Sequence, residues 1–179
     1  FNALFLMLMP DTLLFLFIIP IIFCVINLEK NDSFKNWLLL GLLLGLTGLS
    51  KYTAVLFIVP IVLYFIIKKR FDVFINPKII LSILLAFTIV LPVIYWNIQT
   101  DWESFTYQSN HVMGNSNIEL QNLFLSLGGQ FATYNPLLFL IAFYGLYRAF
   151  KSSNDILLLS ALFGSVLFLF FAYNSLYSR

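Results

Sequence analysis

The chain has 179 residues, of which 61% are hydrophobic and 10% are charged, and its mean hydropathy is +0.94. A soluble domain is typically about 25% charged, so this composition excludes a water-soluble globular domain. The net charge of +2 is too small to indicate a nucleic-acid partner, and the single cysteine, Cys24, excludes a disulfide framework.

Continuous apolar runs predict six helical segments. Roughly 20 apolar residues are needed to cross a bilayer, and backbone groups in hydrocarbon must find their hydrogen bonds within the segment. The predicted fold class is therefore all-α, a polytopic transmembrane helix bundle forming part of one domain over residues 1–179. In chain order the segments lie at about 12–28, 37–49, 53–67, 79–96, 135–150 and 156–173.

Basic residues predict the orientation of the bundle. Eight of the ten Lys and Arg residues lie in the connections 29–36, 68–78 and 148–155, which share one side if each segment crosses once. The positive-inside rule places these connections in the cytoplasm. Asp11, Lys51 and the long loop 97–134 then face the outside, so any active site is expected on the exoplasmic face.

Two charged residues on the predicted outer face are candidates for binding. Asp11 either caps the first helix or presents a carboxylate to a cavity at the membrane edge. Lys51 separates the second and third segments, and it either extends its ammonium group to the interface or binds a phosphate group held at the membrane surface.

The loop 97–134 is the densest polar and aromatic stretch. Trp102 fits an interfacial aromatic belt, whereas Gln108 and His111 suggest contacts with a sugar or a polar head group. A histidine alone is also typical of a structural or solvent-facing position, so both interpretations of His111 stay open. Gln130 lies in a segment, 119–134, whose apolar spacing predicts an amphipathic surface helix. Asp101 and Glu103 are two residues apart and would not share a helix face, so we do not interpret them as a catalytic pair.

Small residues in the second segment predict close helix packing. Gly41, Gly45 and Gly48 recur at intervals of four and three residues, and such spacing lets helices approach each other closely. The stretch is hydrophobic and does not fit a phosphate-binding loop.

Several motifs in order resemble those of bacterial membrane glycosyltransferases related to the protein O-mannosyltransferases and the lipid A aminoarabinose transferases. The motifs are Pro10-Asp11-Thr12, the stretch 41–55, the stretch 96–111, Gly129-Gln130 and Asn135-Pro136. The resemblance implies a GT-C type fold with an exoplasmic active site in the bacterial cytoplasmic membrane. It also implies a polyprenyl-phosphate-linked sugar donor and a lipid, glycan or protein acceptor.

The chemistry of such a transfer assigns roles to the candidates. A carboxylate must orient or deprotonate the acceptor hydroxyl, and cations must stabilise charge on the departing phosphate. Lys51 fits the second role and Asp11 a positioning role, within an expected substrate-binding set of Asp11, Lys51, Trp102, Gln108, His111 and Gln130. In the family the principal catalytic aspartate lies upstream of Phe1, so we expect this chain to be an internal piece of a longer protein and inactive alone.

Two other functions fit the same composition. A transporter or flippase for a polar lipid would place ionisable groups near the bilayer midplane, and a non-catalytic assembly subunit would leave Lys51 and Asp11 replaceable. The sequence identifies no cofactor and leaves a divalent metal open.

Overall fold

The computed structural model describes residues 10–107, 120–133 and 135–176, with the backbone alone at positions 10, 11 and 120. This part of the chain is helical and contains no strand, as the sequence predicts. Its elements in order are α1 (Pro10–Lys30), α2 (Phe34–Ser50), a 3₁₀ segment (Tyr52–Phe57), α3 (Ile58–Ile67), α4 (Asp72–Ile75), α5 (Lys78–Gln99), α6 (Leu120–Thr133), α7 (Pro136–Phe150) and α8 (Asp155–Ser175).

Three of the helices are long and apolar enough to cross a membrane. These spans are Thr12–Lys30, Lys78–Gln99 and Asp155–Ser175, and the chain is accordingly a membrane protein. The segment predicted as one helix over 53–67 instead begins with six residues of 3₁₀ helix before α3. The contacts within the chain divide it into two compact units, unit 1 (Phe1–Ile94) and unit 2 (Tyr95–Arg179).

One end of unit 1 is organised around the carboxylate of Asp32, in the turn between α1 and α2. Trp37 Nε1 donates to Asp32 Oδ1 at 2.6 Å, and Asn76 Nδ2 donates to Oδ2 at 2.9 Å. The Lys78 ammonium lies 2.8 Å from the same Oδ2 atom. The hydrogen bonds from Lys78 and Trp37 lower the pKa of Asp32 to about 2, so this carboxylate is ionised at neutral pH.

A second carboxylate, Glu29, joins α1 to the connection after α3 at the same end. The Tyr64 hydroxyl donates to Glu29, and Lys68 Nζ lies 3.6 Å from Glu29 Oε1. Arg70 Nη1 donates to the Glu29 carbonyl oxygen at 3.2 Å while its guanidinium binds both oxygens of Asp72 at 2.9 Å. The hydrogen bonding from the Arg70 guanidinium lowers the pKa of the Asp72 carboxyl. We call the side chains around Asp32 and Glu29 the polar cluster.

The polar cluster shows how the helices of unit 1 are directed. It brings together the end of α1, the start of α2, the end of α3 and the start of α5. A connection of only three residues, 31–33, makes α1 and α2 antiparallel neighbours. The first residue of α1 and the last residue of α2 therefore lie at the opposite end of unit 1 from the polar cluster.

The glycines of α2 lie directly against α5. A methyl group at Gly41 would stand 2.5 Å from the Ser82 carbonyl oxygen, and one at Gly45 would stand 2.8 Å from Ile89 Cδ1. At the same contact the Ser82 hydroxyl donates to the carbonyl oxygen of Trp37. The predicted packing role of these glycines is therefore confirmed.

Unit 2 is joined by aromatic rings and by side-chain caps. The ring of Phe139 on α7 contacts that of Phe131 on α6, with 5.7 Å between the ring centroids. The ring of Phe143, also on α7, contacts that of Phe168 on α8 at 5.2 Å. Asn135 caps α7 by accepting from Leu137 N at 3.0 Å, and Pro136 follows as the first helical residue.

Candidate functional site

Lys51 interrupts the helical backbone between α2 and the 3₁₀ segment. Its φ of −163° and ψ of 145° are extended, so it ends one helix and begins the next. Its N–H donates to Thr47 O at 3.4 Å and its carbonyl oxygen accepts from Ala54 N at 3.0 Å. The side chain is half-buried, and these backbone bonds place it at the end of unit 1 opposite the polar cluster.

Asp11 lies in the first turn of α1, and its side chain is outside the described residues. Because α1 and α2 are antiparallel, the backbone of Asp11 lies at the same end of unit 1 as Lys51. The two ends of unit 1 therefore differ in their chemistry. One holds the polar cluster of ion pairs, and the other holds Lys51 together with the start of α1.

Trp102 lies in a turn whose backbone is strained. Asp101 has a φ of 49° and Trp102 a φ of 60°, a left-handed conformation that costs about 1–2 kcal/mol for an ordinary residue. Trp102 N donates to Asn97 O at 2.8 Å, which is the longer of the two bonds of a Schellman motif and closes the end of α5. Asp101 occupies the position where that motif usually has glycine.

The strained turn at Asp101 and Trp102 presents both an exposed aromatic ring and an open polar cavity. The Trp102 ring meets Phe105 edge to face at 5.4 Å and is 47% exposed. An open cavity of about 420 Å³ next to it is lined by Thr100, Asp101, Glu103, Thr106 and Tyr107. Asp101 and Glu103 therefore share one cavity, because the left-handed backbone at Asp101 replaces the helical geometry in which they would diverge. No signal in the sequence marks this turn, since it contains no glycine.

The remaining candidates are distributed over unit 2 and the undescribed stretches. Gln130 is half-buried in α6, where Nε2 donates weakly to Ser126 Oγ at 3.5 Å. Gln108 and His111 lie outside the described residues. Asp11 and Lys51 belong to unit 1, whereas Trp102 and Gln130 belong to unit 2. Within the residues that the structure describes, no group of three His, Cys, Asp or Glu side chains could hold a metal ion.

Comparisons with known proteins give one family match and one similar curated protein. A model of the family described as dolichyl-phosphate-mannose-protein mannosyltransferase matches residues 1–96, which is more than half of the chain. The chain is also 28% identical over 149 residues to the lipid A galacturonosyltransferase RgtD of Rhizobium johnstonii, covering 81% of this chain and 31% of the relative. The chain thus spans about a third of the length of that curated relative. No solved structure matches the chain.

Proposed function

We propose that the complete protein is a membrane glycosyltransferase, because this chain belongs to the dolichyl-phosphate-mannose-protein mannosyltransferase family. Its donor is a sugar linked to a polyprenyl phosphate, and its acceptor is a lipid, a glycan or a protein. The name of the relative, a lipid A galacturonosyltransferase, favours a lipid among these acceptors. The protein crosses the bacterial cytoplasmic membrane several times, and transfer takes place on its periplasmic or extracellular face.

The observation that carries the proposal is the family match over residues 1–96, which includes both Asp11 and Lys51. The arrangement of unit 1 supports it independently. The basic connections 29–36 and 68–78 lie at the end of unit 1 that contains the polar cluster, and the positive-inside rule assigns such an end to the cytoplasm. Lys51 is then at the exoplasmic end, where a lipid-linked sugar would be used.

Transfer requires one group that accepts the proton of the acceptor hydroxyl and another that stabilises the negative charge on the departing phosphate. The acceptor hydroxyl oxygen forms a bond to this carbon, the bond from the carbon to the phosphate oxygen breaks, and the hydroxyl proton passes to a carboxylate. We assign to Lys51 the stabilisation of the negative charge that collects on the departing phosphate. Asp11 positions the sugar or the acceptor. A divalent cation would share the phosphate charge with Lys51, and titration with EDTA shows whether transfer needs one.

We also propose Trp102, Gln108, His111 and Gln130 as contacts with the sugar or with a polar head group. An exposed indole ring beside a polar cavity suits a sugar, because the flat ring can cover an apolar sugar face while hydroxyl and carboxylate groups accept hydrogen bonds. The Trp102 ring and the cavity lined by Asp101 and Glu103 have this combination.

The test is Lys51→Met in the complete protein, assayed by transfer of radiolabelled sugar from polyprenyl phosphate in membranes. Losing one preorganised stabilising group typically lowers kcat by about 100-fold or more. Lys30→Met is the matched control, because Lys30 ends α1 at the other end of unit 1 and should transfer sugar at the wild-type rate. Both variants should insert normally in the membrane.

Three results would contradict the proposal in different ways. Full activity of Lys51→Met would remove Lys51 from the site but leave the enzyme class standing. Lipid movement across the membrane without formation of a glycosidic bond would indicate a transporter. No transfer by the wild-type protein with any polyprenyl-phosphate sugar would remove the enzyme class itself.

A further inference from the structure

A second cavity lies in unit 2, at the turn between α7 and α8, far along the chain from the proposed donor site. Its volume is about 600 Å³, within the range of about 300–1,000 Å³ typical of small-molecule sites. Arg148, Lys151, Tyr147 and Ser152 supply the polar part of its lining. Leu157, in the first turns of α8, supplies part of its apolar wall.

The two cations of this cavity differ from several basic residues of unit 1 in their surroundings. Lys68, Arg70 and Lys78 each lie within 4 Å of a carboxylate. Within the described ranges, neither Arg148 nor Lys151 forms such an ion pair, and no acidic side chain lines the cavity. The cavity therefore combines two positive charges with no internal counter-charge.

The lysine is held in place by its neighbour on α7. The Lys151 ammonium lies 4.5 Å from the centre of the Tyr147 ring and donates to the hydroxyl of the same residue. A lysine has three donor hydrogens, so this contact leaves two for a ligand. The Ser152 hydroxyl accepts from Asn154 N at 3.1 Å, which leaves its own proton available to donate.

The helix dipole accounts for only part of this arrangement. Basic residues at the last turn of a helix stabilise its carbonyl groups, and Arg148 lies in the last turn of α7. A dipole effect requires no cavity and no hydroxyl groups arranged around the charges. It also leaves unexplained the apolar side chains of Phe150 and Ile156, which remain exposed on either side of this turn.

We propose that this cavity binds the phosphate of an anionic glycerophospholipid from the leaflet next to the α7–α8 turn. The guanidinium of Arg148 suits two phosphate oxygens at once, and the Lys151 ammonium acts as a compact point charge. Leu157 in the cavity wall and Phe150, which follows the lining residue Ala149 in the chain, are both exposed and offer apolar surface for acyl chains. Basic pockets between membrane helices on the cytoplasmic side are known to bind such head groups, and the sequence assigns the connection 148–155 to that side.

The experiment compares thermal unfolding of the complete protein in neutral detergent with added phosphatidylglycerol, added phosphatidylcholine or inorganic phosphate. Phosphatidylglycerol should raise the Tm of the wild-type protein, whereas the other two additions should not. The double variant Arg148→Gln with Lys151→Gln should weaken the response so that at least about tenfold more lipid is needed for the same shift, which corresponds to about 1.4 kcal/mol of lost binding free energy.

The matched control is Lys30→Gln with Lys35→Gln, which removes the same charge from another predicted cytoplasmic connection and should keep the full lipid response. An equal loss in this control would show general surface electrostatics and overturn the proposal. An equal Tm increase with inorganic phosphate would overturn the lipid as the source. If the double variant does not fold, Arg148→Gln and Lys151→Gln are measured singly, and an unchanged response in both would also refute the site.

Discussion

Replacing Gly41 with alanine tests the closest helix contact of unit 1. The added methyl carbon would lie 2.5 Å from the Ser82 carbonyl oxygen, 2.8 Å from Ser82 Cα and 3.0 Å from Ser82 C. All three atoms belong to the backbone of α5, so no side-chain rotation can relieve the clash. The helices must instead move apart, which also strains the hydrogen bond from the Ser82 hydroxyl to Trp37 O.

The expected size of the effect follows from two opposing contributions. Overpacking a close contact costs about 1–3 kcal/mol, and backbone atoms place Gly41→Ala near the upper part of this range. Alanine regains about 1 kcal/mol over glycine in a helix interior, so we expect a net loss of about 1–2 kcal/mol in the free energy of unfolding. Gly145→Ala is the control, because nothing lies within 4 Å of a methyl group there, and it should gain about 1 kcal/mol.

Unfolding by SDS titration in mixed micelles, followed by tryptophan fluorescence, measures both variants. Gly48→Ala should fall between them, since the added methyl meets only the end of a side chain, Val90 Cγ2, at 2.8 Å. Equal stability of Gly41→Ala and Gly145→Ala would refute the close approach of α2 to α5.

Two further predictions concern the polar cluster and the strained turn. The pKa of Asp32 is about 2, below the ordinary value of about 3.9, so its contribution to stability is complete above about pH 5 and is lost as the pH falls towards 2. Tm measured from about pH 5 to about pH 2 should fall less steeply in Asp32→Asn than in the wild type, and parallel curves would contradict the role of this carboxylate. Asp101→Gly should keep or raise the Tm, because glycine accepts a φ of 49° without strain. Asp101→Val should instead lower the free energy of unfolding by about 1–2 kcal/mol. A lower Tm for the glycine variant would show that the Asp101 side chain stabilises the turn.

The helices could be predicted because a membrane leaves the backbone few alternatives. Continuous apolar runs located each long span, and the glycine spacing of α2 indicated a close partner without identifying it as α5. The observed α1 and α5 extend beyond the predicted segments 12–28 and 79–96. Their last residues are polar, and hydropathy alone cannot show that such residues remain helical.

The polar cluster could not be predicted, because its partners are distant in sequence. Asp32 and Lys78 are 46 residues apart, and no local pattern connects them. The basic residues predicted only the side of the membrane on which these connections lie, and the structure shows in addition that ion pairs join them. The turn at Asp101 could not be predicted either, because its left-handed backbone lacks the glycine that usually indicates such a turn. The joint placement of Asp11 and Lys51 at one end of unit 1 follows from the alternating helix directions that the basic residues indicated.

The 3₁₀ segment before α3 changes how well a short hydrophobic helix can match a bilayer. Residues in a 3₁₀ helix rise about 2.0 Å each, compared with about 1.5 Å in an α-helix. The six residues of Tyr52–Phe57 therefore add about 3 Å to the length of the apolar stretch 52–67. This stretch would be only about 24 Å long if all of it were α-helix. A hydrocarbon core is about 30 Å thick, so this stretching halves the mismatch at the Lys51 end and reduces the need for the surrounding lipids to thin there.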